Sequence, residues 1–124
     1  MSERKKLSKE KRMTVYEKYG GRCAYCGCEI EYKKMQIDHI EPIYKYETAY
    51  QTGNADWLDD VKNLLPACRM CNFYKSTMTI EQFRERLQTV HDRLEKTFIY
   101  RLAKKYGLVV EKHKNVVFFF EEER

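Results

Sequence analysis

The sequence predicts a small α+β fold, and three features predict it. Two Cys-x-x-Cys pairs, Cys23–Cys26 and Cys68–Cys71, have 41 residues between them. Between them runs a short alternating stretch, Met35-Gln36-Ile37-Asp38, of the kind that forms a half-buried strand. Behind them Ile80, Phe83, Leu87, Val90, Leu94, Phe98 and Leu102 recur at three- and four-residue steps, the period of an amphipathic helix.

The cysteine pairs come first because they constrain the chain most. Thiolates two residues apart in a tight turn grip one tetrahedral ion, and two such turns complete a closed four-sulfur site. The spacing therefore predicts a structural Zn²⁺ on Cys23, Cys26, Cys68 and Cys71, whose binding energy, of order 10 kcal/mol, becomes folding energy. A chain of 124 residues needs such help, since a domain this size buries only about two-thirds of its unfolded surface. The fifth cysteine, Cys28, offers alternative grips with Cys23 or Cys26; the two-residue spacing makes it a bystander.

The remaining elements follow in chain order. Residues 2–19 read as a basic helix capped by Ser8 and ended by Gly20-Gly21. Glu29 to Tyr32 suggests a short strand, and Pro42 closes the strand that starts at Met35. Residues 43–62 are irregular, with Gly53-Asn54 as a turn and Trp57-Leu58 expected to anchor the excursion. A short helix is expected near Cys71. Thr79 to Gln82 is a capping-box pattern opening one long helix to Gly107, whose stripe reads as core-packing, with a partner or dimer surface as the alternative. Residues 108–110 and 116–120 read as a terminal β-hairpin, its aromatic run buried on both faces or kept as an edge for another chain. The length suits one domain over 1–124, with a core motif at 22–75 and the C-terminal helix and hairpin at 79–121.

Charge narrows the partners. Residues 1–22 hold eight basic and three acidic side chains, which is the whole net charge of +5; the rest of the chain balances sixteen against sixteen. A basic arm on a neutral body suits a polyanion, with a solvated helix as the plainer reading. No apolar run approaches the ~18 residues of a membrane span, and the charged start lacks the apolar core of a signal peptide. A cytoplasmic location is expected, in a bacterial or phage-infected cell.

Between the cysteine pairs lies Ile37-Asp38-His39-Ile40-Glu41-Pro42. An adjacent carboxylate and imidazole at a strand end offer a hard oxygen ligand and a general base. Alone, such a dipeptide is weak, because a lone histidine is more often a structural group. Its placement between two cysteine half-sites, followed by Asn63 and Asn72, changes the weighing. The order Cys-x-x-Cys, Asp-His-Ile-x-Pro, Asn-Leu, Cys-x-x-Cys-Asn, x-x-Lys over Arg22 to Lys75 resembles the HNH endonuclease family, small phage and prophage members in particular.

The resemblance implies a ββα-metal, treble-clef-like core stapled by zinc, cutting DNA with one catalytic Mg²⁺ or Mn²⁺. It makes Asp38 and Asn72 the ligands of that ion, His39 the base that activates water, and Asn63 the residue that holds the His39 segment and orients its imidazole. Asn72 stands where the family name has its final histidine, a departure that bears on the choice of metal. Products with 5′-phosphate and 3′-hydroxyl ends are the family expectation. Arg69 and Lys75 are candidates for phosphate contacts beside the site, and Lys5, Lys6 and Arg12 for contacts from the arm. By analogy alone, a phage packaging terminase or another phage protein is a candidate partner. Two competing functions are a non-catalytic zinc module binding nucleic acid or a packaging partner, and an enzyme acting on RNA or modified DNA.

Overall fold

The computed structural model describes residues 6–122. The chain groups into two compact units, Met1–Thr79 with Phe118–Arg124, and Ile80–Val117. In the first unit the order is α1 (Lys9–Glu17), β1 (Gln36–His39), α2 (Glu47–Gln51), β2 (Leu64–Ala67) and α3 (Arg69–Lys75), with 3-10 turns between them. It is a mixed helix-and-strand fold built on a small antiparallel sheet.

Helix α1 starts at Ser8, whose Oγ accepts from Lys11 N at 3.1 Å. Satisfying that orphan donor fixes the helix start, so the helix is shorter than the 2–19 expected; residues 1–5 lie outside the described residues. Gly20 and Gly21 end the segment with φ of 63° and 79°, a region L side chains avoid. Lys18 at the end of α1 donates to Val61 O and Leu64 O, both at 2.9 Å, tying the helix to the head of β2.

The sheet pairs Gln36 with Ala67, Ile37 with Pro66, Asp38 with Leu65 and His39 with Leu64. Every residue of β2 is buried. The strand expected at Glu29 to Tyr32 is reduced to one bridge, Arg22 to Glu29, followed by a 3-10 turn at Tyr32–Lys34. Excursion 43–62 is not structureless: it folds into 3-10 turns around α2 and buries Ile43, Tyr50, Ala55 and Leu58 as its own small core. Leu58 is its anchor; Trp57 is 48% exposed and meets Tyr46 edge-on instead.

The terminal hairpin does not form. Phe118 is buried against the Tyr25 ring, while Phe119 N and Phe120 N donate to Tyr25 O and Ala24 O at 3.0 and 2.8 Å. The aromatic run thus finds its backbone acceptors on the first Cys-x-x-Cys turn rather than on a partner strand. Gly27 shows how close this approach is. Its φ is 80°, and a Cβ there would come within 2.8 Å of the Phe119 ring.

In the second unit the expected long helix is three: α4 (Ile80–Gln88), α5 (Val90–Leu94) and α6 (Phe98–Lys105). Thr89 and Thr97 leave helical geometry at the breaks, Thr97 fully extended at ψ 135°. β-Branched residues with a hydroxyl that competes for backbone partners favour such ends. Of the apolar stripe, Phe83 is buried, whereas Leu94, Phe98 and Leu102 are exposed. The segment after Gly107 runs back along α4 in extended form, with Gln88 bonding Lys114 O and Val116 N and Arg84 bonding Val116 O. No helix among the described residues is long and apolar enough to cross a membrane.

Candidate metal centre and cleavage site

The four paired cysteines converge. Their Sγ atoms all lie within 4.8 Å of one another. Cys26 and Cys68 Sγ are 3.8 Å apart. A tetrahedron of sulfurs about 2.3 Å from a zinc ion has edges of about 3.8 Å, so the donors fit that ion. Local structure places them. Cys23 N donates to Cys28 O at 2.8 Å and Gly27 N to Cys23 O at 3.0 Å, closing the first turn, and Ala24 N reaches Pro66 O to fasten it to β2. Cys68 is the N-cap of α3, its sulfur accepting from Cys71 N, so α3 begins at Arg69, two residues before its expected start near Cys71.

Crowding four sulfurs perturbs their acidity. The hydrogen bond from Cys71, helped by nearby backbone amides and opposed by burial, pulls the Cys23 thiol down to about 4. The same hydrogen bond, then burial, pushes Cys71 far up. Four such thiols cannot all ionise by themselves; a bound dication removes the conflict by deprotonating them. The cluster is arranged to bind a metal ion, in the manner of a structural zinc. Cys28 is exposed and stands outside the four-sulfur set; burial and its contact with Cys26 push its thiol up to about 12.

A second constellation lies at the end of β1. Asp38, His39, Asn72, Tyr44, Ser76 and Thr77 help to line one cavity of about 200 Å³. Asp38 is 5% exposed, and its Oδ2 receives Tyr25 Oη and stands 2.8 Å from Lys75 Nζ. Both contacts use Oδ2, leaving Oδ1 free of them. Lys75, a candidate for phosphate contact, is instead wholly buried, its ammonium over the Tyr25 ring at 6.0 Å and in hydrogen-bonding geometry with no other group among the described residues. It stands three residues after Asn72 on α3, hence on the same helix face. Removing it would leave the Asp38 charge buried and unpaired. Lys75→Ala is therefore expected to cost about 3–5 kcal/mol of stability, measurable by urea unfolding.

His39 is held from the other side. Its Nε2 lies 2.8 Å from Asp59 Oδ1, and Tyr50 Oη donates to Asp59 Oδ2 at 2.5 Å. Asn63 bonds the backbone after His39: Ile40 N donates to its carbonyl at 2.9 Å and Glu41 N to its Oδ1 at 2.8 Å. The imidazole itself is touched by Asp59, which the motif did not name. Tyr25, Asp59 and Tyr50 are thus site residues missed in the sequence. Only Lys75 carried a readable signal, its i+3 spacing from Asn72.

Of the cationic candidates, Arg69 is exposed on α3 and Lys6 is exposed before α1. Arg12 is committed to Met35 O at 3.3 Å and to the Tyr32 ring at 5.4 Å. Lys5 lies outside the described residues.

Comparison with known proteins covers the segment that carries these residues. The HNH endonuclease family model matches residues 23–77, a span that takes in both cysteine pairs and the Asp38-to-Asn72 constellation. The Septu protein PtuB of Bacillus thuringiensis is 31% identical over 68 residues, 53% of this chain and 23% of that protein. The chain thus spans less than a quarter of the length of the curated relative it matches. No solved structure matches it. The similarity to the HNH endonuclease family thus covers residues 23–77, the stretch that holds the four-cysteine cluster and the cavity at the end of β1.

Proposed function

We propose that the chain is a metal-dependent DNA endonuclease in which His39 is the general base. One observation carries this reading: Asp38, His39 and Asn72, from a strand end and a helix, line one small open cavity. A buried structural carboxylate and histidine need no such convergence. Asp38 Oδ1 and the Asn72 amide oxygen are hard donors of the kind Mg²⁺ or Mn²⁺ prefers, and they would hold the ion. When bound, that ion supplies charge neutralisation at the phosphoryl oxygens and the leaving 3′-oxygen.

The chain's own residues do the rest. His39 accepts a proton from water as its oxygen attacks phosphorus, the P–O3′ bond breaks and the leaving 3′-oxygen takes a proton from solvent water, giving 5′-phosphate and 3′-hydroxyl ends; His39 then returns its proton to solvent. Lys75 and Tyr25 fix the Asp38 carboxylate by its other oxygen. Asn63 clamps the backbone behind His39. Arg69 and Lys6 are placed in exposed positions suited to phosphate contact, with the rest of the basic arm adding sequence-independent attraction. DNA is the substrate; a terminase partner has no feature of the described residues behind it.

A second reading has an observation of its own. Asp38 is nearly buried and already neutralised by Lys75, as a structural carboxylate would be, which favours a zinc module that binds nucleic acid without cutting it. Incubating supercoiled plasmid with the protein and Mg²⁺, Mn²⁺ or neither separates the two. Nicked or linear product only with added metal is the expected result. Retarded but intact plasmid under all three conditions would establish the binding module instead.

A further inference from the structure

The irregular excursion between the strands has a chemical task of its own. Asp59 is 8% exposed, and among the described residues its carboxylate meets two groups, His39 Nε2 on one oxygen and Tyr50 Oη on the other. No lysine or arginine among the described residues pairs with it. A buried carboxylate without a cationic partner is costly, so its persistence needs donors on both oxygens. A carboxylate only accepts hydrogen bonds, so the imidazole nitrogen facing it must carry the hydrogen.

We propose that Asp59 is a positioning residue for His39, fixing the ring in its Nε2–H tautomer so that Nδ1 is the nitrogen offered to the attacking water. This rests on the reading of His39 as the base. Packing and hydrogen bonds around the pair hold its geometry. Tyr50 is 2% exposed within the small core of Ile43, Tyr50, Ala55 and Leu58, which fixes the hydroxyl that grips Asp59. Asn63 then joins the two halves: its Oδ1 accepts from Glu41 N, two residues after His39, and its Nδ2 donates to Leu58 O, the residue before Asp59, both at 2.8 Å. Asn63 thus orients the imidazole at one remove, by setting the distance between the segments that carry base and carboxylate. The excursion is there to deliver an acceptor to the back of the ring.

The tautomer can be read without any variant. Long-range ¹⁵N–¹H correlation spectra of the zinc-loaded full chain are expected to show neutral His39 protonated at Nε2; a ring protonated at Nδ1 would overturn the proposal. Asp59→Asn should lower kcat by up to about 10⁴-fold with KM little changed, the loss that follows when the carboxylate behind a catalytic imidazole becomes an amide. Its zinc content should stay at the wild-type value and the His39 tautomer should become mixed. Asp59→Asn that cuts at the wild-type rate, beside an inactive His39→Ala, would sink the positioning role while leaving the base reading intact. If His39→Ala cuts as wild type, the base reading itself has failed, and the wild-type tautomer still decides whether Asp59 sets the ring.

Discussion

Cys71→Ala, or Cys68→Ala, is expected to abolish folding of the Met1–Thr79 unit rather than to weaken it. The cost follows from the arrangement. A closed four-sulfur site contributes of order 10 kcal/mol, comparable with the whole 5–15 kcal/mol by which a domain is stable. The loss is concentrated where the fold is thinnest: the sheet has four residues in each strand, and the cysteine turns hold β2 and the head of α3. Cys71→Ala should therefore give protein with no bound zinc and no cooperative melting transition. Cys28→Ser should keep both, because Cys28 is exposed and outside the cluster. Zinc per chain by elemental analysis and melting by circular dichroism check the pair. A Cys71→Ala protein that keeps one zinc and the wild-type melting curve would refute the ligand assignment, and so would a Cys28→Ser protein that loses its zinc.

The contrast between those cysteines also shows why part of the molecule was legible. Ligation is a local rule: two thiolates in one turn must point at one ion, so spacing alone selects Cys23, Cys26, Cys68 and Cys71 and passes over Cys28. The strand at Gln36–His39 and the cap at Ser8 are equally local, and both stand in the sequence within one residue of where they form. Asp38, His39 and Asn72 stand in an ordered sequence motif, and the fold brings the three to one cavity.

What escaped is what depends on distant partners. Residues 116–120 have the composition of a strand, but their hydrogen bonds go to Ala24 and Tyr25, about ninety residues earlier, which no periodicity reports. The apolar stripe from Ile80 to Leu102 keeps its period across Thr89 and Thr97, where the backbone leaves the helix. Asp59 sits in Leu58-Asp59-Asp60 and reads as surface charge; its burial follows from Tyr50, nine residues earlier, and His39, twenty residues earlier. Lys75 was nearest to being readable. An inward-facing lysine one turn from Asn72 needs a carboxylate, and the structure supplies Asp38.

His39→Ala is expected to lower cleavage by roughly 10² to 10⁴, the range for losing a positioned acid or base, while zinc content and DNA binding stay as in wild type. The structure separates these properties because the imidazole touches neither the cysteine cluster nor the exposed Arg69. One cost is foreseen. Truncation leaves Asp59 without one of its two donors, and a buried acceptor stripped of a partner costs about 1–3 kcal/mol, so a modest fall in melting temperature should accompany the lost activity. Asp59→Ala in the His39→Ala background should recover part of that stability without restoring cleavage, which separates the structural from the chemical consequence of losing the ring. Asp38→Ala should lose as much cleavage by another route. It removes an oxygen ligand and strands the Lys75 ammonium, so the melting temperature should fall further than in His39→Ala, and raised Mn²⁺ should restore some cleavage to Asp38→Ala but none to His39→Ala, whose missing part is a proton acceptor. Plasmid cleavage, bound zinc and melting temperature measured on the same samples decide the matter. A zinc-replete His39→Ala protein cutting at the wild-type rate would remove His39 from the chemistry and leave its bond to Asp59 as a strut between the excursion and β1.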